Sequence, residues 1–146
     1  MSGGNPPGDA PRGAIACLVL GGGGHGKVVL EALLAAPGVG RLGILDVRAG
    51  ARGQSVMGVP ILGDDGYRAR AGVEGYTHFV CGVGATGDNP RRVAVFDKGV
   101  EAGLQPLAVR HPAAVVSAHA GLGAGAVVMA AAVVNPGAAI GANAIV

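Results

Sequence analysis

Residues 21–27 read Gly-Gly-Gly-Gly-His-Gly-Lys, a run suited to bringing backbone against a phosphate. Gly21, Gly23 and Gly26 satisfy the pattern GxGxxG, with Gly24 and His25 between the last two. Glycine lets the chain turn sharply and approach an anion, and a helix starting there offers free N–H groups and the positive end of its dipole. The expectation is contact with a phosphate or nucleotide; the alternative is a tight strand–helix turn and nothing more. The same residues fit GxxxxGK, but Val28 stands where a P-loop needs Ser or Thr to hold magnesium. Asp46 follows Gly26 by 20 positions, where the acid of an NAD-binding fold grips a ribose, so an NAD-dependent oxidoreductase is the natural competitor.

Of the four histidines, His25 lies in the glycine turn and is placed to touch a ligand. His78 opens an apolar run and His111 precedes Pro112, and both read as structural. His119 falls between repeat positions, at an expected corner in solvent. None has a carboxylate or serine at a spacing that proposes a catalytic pair, so no catalytic residue is assigned. Nor does any cluster suggest a metal site.

The elements that must position these residues follow from the flanking pattern. Ala14–Leu20 is an apolar run with β-branched content that enters the turn, and residues 27–36 repeat apolar residues at helical spacing before Pro37-Gly38. Leu42–Leu45 is a second brief strand ending in Asp46. Strand, glycine turn, helix, strand and acid make the opening of a Rossmann-like βαβ unit. Residues 58–63 form an extended excursion framed by glycines, and residues 64–75 a helix and loop. Residues 77–83 read as a third parallel strand leading into Gly84. Asn89-Pro90 begins a helix as N-cap and first position, running to about Glu101 and stopping at Gly103. Leu107–Val109 is the expected last strand.

From Ala114 onward the sequence keeps a six-residue beat. Val116, Leu122, Val128, Val134, Ile140 and Val146 stand six apart, each preceded by two positions by an alanine. A spacing of two puts each pair on one face of a strand, and six is even, so every repeat faces the same way. On a helix a step of six scatters these residues over three faces. The beat predicts a parallel β-helix of stacked coils. The fold class is therefore α/β: a Rossmann-like parallel sheet over residues 14–110, then the first coils of a β-helix over 111–146, after a tail at 1–13.

The composition limits the partners. With 11 Lys and Arg against 9 Asp and Glu, formal charge is +2, and Arg91-Arg92 is the nearest thing to a basic stripe, so nucleic acid is not expected. The apolar run 120–134 is interrupted by glycine and too short for the ~20 residues of a spanning helix. The tail has no apolar core of a signal peptide. Cys17 and Cys81, inside apolar runs without CxxC spacing, read as reduced, buried thiols of a cytoplasmic protein.

Taken in order, VLGGGGHGKVV, the segment Val59-Pro60-Ile61-Leu62-Gly63-Asp64-Asp65, the strand end Gly82-Val83-Gly84, the His111-Pro112 junction and the six-residue beat resemble the PglD/NeuD-like sugar O- and N-acyltransferases. The resemblance spans residues 15–146. It implies a left-handed β-helix, a homotrimer, acetyl-CoA as co-substrate and a nucleotide-activated or amino sugar as acceptor. Carried onto this chain, Gly21, Gly23, Gly24, His25 and Gly26 hold the sugar nucleotide. Asp46 lies by its base or ribose, and Gly82, Val83 and Gly84 line the same cleft. The family's general base, a histidine beside an acid, is expected in a coil after Val146, so the chain is expected to be truncated and inactive alone. A nucleotide-sugar-binding or regulatory module without activity is the remaining alternative.

Overall fold

The computed structural model describes residues 14–85, 87 and 89–146; the tail expected at 1–13 lies outside the described residues. Strand β1 (Ile15–Leu20) enters the glycine turn and is followed by helix α1 (Gly24–Ala35) and strand β2 (Val39–Leu45). The helix starts three residues earlier than its apolar pattern suggests, because the second half of the glycine run is its first turn. A short hairpin, β3 (Ser55–Val56) and β4 (Val59–Gly63), turns through Met57 and Gly58, both at positive φ. Residues Asp65–Arg70 form a 3-10 turn, capped by the Asp64 carboxylate accepting from the Gly66 N–H at 2.9 Å. Strand β5 (His78–Cys81), helix α2 (Pro90–Glu101) and strand β6 (Gln105–Pro106) complete this part. Asn89 is the N-cap of α2, as expected, yet its side chain makes no capping bond.

The six strands run in the order β3-β4-β2-β1-β5-β6, parallel throughout except for β3 against β4. Side chains of β1 alternate between two layers. Cys17 and Val19 join Val29, Leu30 and Leu33 of α1, while Leu18 and Leu20 join Phe79 and Leu104, against which Val95 and Phe96 of α2 pack. Gly99 of α2 sits directly over the Phe79 ring, where a β-carbon would overlap it. Cys17 and Cys81 are free and buried, and burial pushes the Cys17 thiol up to about 12.

Beyond the sheet come six two-residue strands: β7 (Val109–Arg110), β8 (Val115–Val116), β9 (Gly121–Leu122), β10 (Val127–Val128), β11 (Val133–Val134) and β12 (Ala139–Ile140). They pair in parallel as β7–β10, β8–β11 and β9–β12, with partners 18 residues apart each time. Eighteen is three of the six-residue repeats, so each turn stacks on the one before, as at the start of a β-helix. The stack begins at Val109, before the beat is visible in sequence, and a further bridge joins Val127 to Ile145. Ala114, Val128 and Val134 form its core, with Val116, Ala120, Leu122, Ala132, Ala138 and Ile140 around them. Arg110 holds the inward register on the first turn and is exposed there, a polar cap where no turn stacks above. Gly125, Ala131, Gly137 and Asn143, again six apart, all have positive φ and turn the corners.

Candidate functional site

Strand β1 lies between β2 and β5, so connections leave its neighbours in opposite directions. The carboxyl ends of β1 and β5 therefore open a crevice, the place where such sheets bind ligands. The glycine turn after β1 and the Gly82–Gly84 loop after β5 form its walls. The cleft has a volume of about 310 Å³ and is lined by Gly21–His25, Asp46, Arg48 and Gly82–Gly84, with Asp65, Arg68 and Arg91 at its rim. Gly21 has φ 114°, and it fits under Gly82 because neither carries a side chain.

Gly26 is the one residue of the expected set that does not line this cleft. It is buried one turn into α1, where a β-carbon would overlap the Gly21 carbonyl oxygen. Its part is to let the helix sit against the turn. The first intrahelical bond runs from the Lys27 N–H to the Gly23 carbonyl at 3.1 Å. Preceding N–H groups at the helix start have no intrahelical acceptor, which leaves donors beside the cleft.

Asp46 stands at the cleft floor, 7% exposed, with its acceptors engaged. One oxygen accepts from the Gly22 N–H at 3.2 Å and from Arg48 Nη2 at 2.5 Å; the other accepts from the Arg48 N–H at 2.9 Å and from Arg48 Nε at 3.0 Å. Hydrogen bonds from Arg48 hold the carboxyl below its ordinary range. A ribose hydroxyl can reach this carboxylate by displacing Arg48, whose side chain is 61% exposed. The sequence pattern identifies Asp46 but not Arg48, which in sequence is an isolated surface cation. Past it a second cleft of about 430 Å³ continues, lined by Arg48, Arg52, Tyr67 and Arg70.

His25 projects between the walls, its β-carbon side packed on Gly84. Burial, and then the charge of Arg92, lower its pKa, so the imidazole is neutral at pH 7. Its Nε2 is buried without a partner among the described residues. The other histidines lie away from the cleft. His78 Nδ1 is 2.7 Å from the Thr77 hydroxyl, His111 Nδ1 accepts from the Ala113 N–H at 3.0 Å, and His119 is exposed on the coil.

Arg92, in sequence one half of the Arg91-Arg92 pair, does not lie on the surface. It is 3% exposed, and its guanidinium donates to backbone carbonyls at the end of β5. No local pattern marks it, because those acceptors are set by the sheet.

Residues 17–98 match the PglD N-terminal domain family, a span that contains both walls of the cleft. The chain belongs to that family. A mutant of perosamine N-acetyltransferase from Caulobacter crescentus, solved with CoA and GDP-perosamine, is 34% identical, with a TM-score of 0.78 over 89% of this chain and 59% of that one. The acetyltransferase domain of PglB from Neisseria gonorrhoeae, solved with acetyl coenzyme A, is also 34% identical. Its TM-score is 0.80 over 92% of this chain and 62% of that one. The chain thus spans about three fifths of the length of these relatives. No curated protein matches the sequence at a significant level. PglD-type relatives carry the sheet-plus-coil arrangement, and among the described residues here no helix is long and apolar enough to cross a membrane.

Proposed function

We propose that this chain provides the sugar-nucleotide-binding part of a cytoplasmic, acetyl-CoA-dependent acyltransferase whose acceptor is a nucleotide-activated amino sugar. The observation that carries the reading is the switch-point cleft, with helix-start N–H groups on one wall and a glycine strand end on the other. Relatives of the same fold that hold CoA and GDP-perosamine support it. In this reading the diphosphate lies against Gly21, Gly23, Gly24 and His25, and Gly26 lets the helix approach it. Gly82, Val83 and Gly84 line the sugar side. Asp46, once Arg48 is displaced, takes a ribose or base donor. The neutral His25 can donate or accept one hydrogen bond without adding charge.

Acetyl transfer forms a bond between the acceptor nitrogen or oxygen and the thioester carbonyl carbon, and breaks the carbon–sulfur bond. A base must take the acceptor's proton while the thiolate leaves. No residue described here is assigned that role. The left-handed sense of the coil, its growth by hexapeptide repeats and assembly as a homotrimer belong to the same proposal. The six-residue beat and the outward valines Val115 and Val133, 65% and 61% exposed, support it. The domain division belongs to the same proposal; the pairing of Val109–Arg110 with β10 supports setting it just before Val109 and not at the expected 110 and 111.

A thermal-shift series with GDP-, UDP- and CMP-sugars, NAD and acetyl-CoA tests the reading. A ligand at a hundred times its Kd stabilises the folded form by about 2.7 kcal/mol, which raises Tm by several degrees. A nucleotide sugar is expected to respond. Saturable NAD binding without sugar-nucleotide competition would promote the oxidoreductase alternative instead.

A further inference from the structure

Arg92 Nη1 donates to the Cys81 carbonyl at 3.3 Å and the Val83 carbonyl at 2.5 Å, and Nε donates to the Asn143 carbonyl at 2.9 Å. One planar cation thereby joins the strand end that walls the cleft to a corner of the coil, across 51 positions of sequence. No carboxylate among the described residues pairs with it. A buried charge held by carbonyl dipoles alone is a costly way to pack a helix on a sheet, and an aliphatic side chain would do that at lower cost. The arrangement suits a different task. Val83 and Asn143 are bound to the same rigid guanidinium, so neither can shift without the other.

The surroundings agree. Arg92 Nη2, Asn143 Oδ1 and His25 Nε2 are all buried without partners among the described residues. His25 packs on Gly84, the residue after Val83. Asn143 turns its corner at φ 58°, and its N–H donates to the Ala124 carbonyl at 2.9 Å, which ties that corner to the turn before it. The cleft wall, the strand end and the coil corner thus meet at one side chain. Spare hydrogen-bonding capacity remains around it.

We infer that Arg92 is a positioning residue that couples occupancy of the cleft to the geometry of the coil at Asn143. Its mechanical half stands on the hydrogen bonds alone. Its functional half, that a sugar nucleotide is what drives the coupling, rests on the function proposed above.

The test is amide hydrogen exchange on the whole chain, wild type against Arg92→Lys, with GDP-mannose and UDP-N-acetylglucosamine as probes. A lysine ammonium cannot hold three carbonyls of two elements in one plane. Without probe, R92K is expected to speed exchange at Asn143 at least tenfold. Ser117, whose N–H bonds to Val134 on another face of the coil, should be unchanged. With a saturating probe, Asn143 should slow in wild type but not in R92K. Unchanged exchange at Asn143 in R92K overturns the coupling. So does a bound probe that leaves Asn143 untouched in wild type. If neither probe binds, the functional half is overturned for these two nucleotide sugars, and the probe-free comparison still decides whether Arg92 holds the coil. Should R92K not fold, the Arg92 Nε–H resonance of wild type decides. A slowly exchanging signal that moves on probe addition supports the coupling, and a fast-exchanging one overturns it.

Discussion

In the sheet and the helix packed on it, the side chains buried below 2% exposure include Phe79, Leu18 and Ile44 on strands and Leu30 and Leu33 on α1; in the coil they are Ala126 and Val128 inside and Val127 on the face that docks on the sheet. The sheet domain fills the space between its layers with large residues from long strands and a helix. The coil has two-residue strands and an interior narrow enough for alanine and valine, and repetition does the rest. Close backbone approach matters in both regions, for different reasons. Gly26 and Gly82 press on Gly21 so that the helix start and the β5 strand end close on the turn, whereas Gly123 presses on Gly141 and Ala142 so that one turn can stack on the next. Glycine shapes the cleft wall in the first region and the stacking of turns in the second.

The sharpest way to break that contrast is Gly26→Ala. The new β-carbon would overlap backbone at Gly21, which cannot rotate away as a side chain could, so α1 must lift from the turn. We expect a loss of about 3 kcal/mol, the upper end for overpacking, read from urea denaturation, together with loss of any nucleotide-sugar thermal shift. Wild-type stability with intact binding would show that the turn has slack and that the glycine is dispensable.

Val127→Ala probes the seam between the regions. Val127 lies on the outward register of the coil yet is fully buried, because Val109, Val127 and Met129 pack into the α1 layer of the sheet. Its counterparts on other faces, Val115 and Val133, are mostly exposed. Removing two buried methyl groups is expected to cost about 2 kcal/mol, against less than 0.5 kcal/mol for Val133→Ala on the surface. Equal effects in chemical denaturation would mean that the coil does not dock on the sheet.

These residues also show what could be seen in advance. The glycine turn, α2 with its Asn89-Pro90 start and the six-residue beat were legible because each is a local pattern with a local cause. The start of β2 was not: Val39, Gly40 and Arg41 look like loop and extend only because β1 offers them a partner. The β3–β4 hairpin turns at Met57-Gly58, and methionine at positive φ gives no sequence signal, where asparagine would. The coil begins at Val109 because strand pairing, not the alanine–aliphatic motif, defines its first turn. In the cleft, Gly21–His25, Asp46 and Gly82–Gly84 come together from a readable motif. Arg48 and Arg92 enter through contacts that only the folded sheet creates.

A smaller effect separates the cleft from the coil by pH. Arg48 and the Gly22 N–H hold the Asp46 carboxyl below its unfolded value, so its contribution is present above pH roughly 4 and is lost as pH falls through the folded pKa. Asp46→Asn should lower stability at pH 7 by about 1 kcal/mol and flatten the acid side of the stability curve. The coil core of Ala114, Val128 and Val134 has no ionisable side chain, so amide exchange of the coil should not follow this transition unless the two regions open together. Identical acid profiles for D46N and wild type would mean that solvent already screens the pair.

The gentlest perturbation sharpens the comparison from the coil side. Four corners six residues apart share positive φ, and three of them hold glycine or asparagine: Gly125, Gly137 and Asn143. Ala131, at φ 63°, is the exception, and its β-carbon carries the left-handed penalty that Gly avoids and Asn offsets by local hydrogen bonding. The residue is exposed, so a larger polar side chain has room. Ala131→Asn should therefore raise stability by about 0.5 kcal/mol. Glycine would gain less because it adds freedom to the unfolded chain. The gain should appear as a small rise in Tm with slower exchange at Ala132, whose N–H bonds back to Met129 across the corner. A fall in stability would mean that the corner at 131 is not left-handed in solution, and that the coil keeps its period by strand pairing alone.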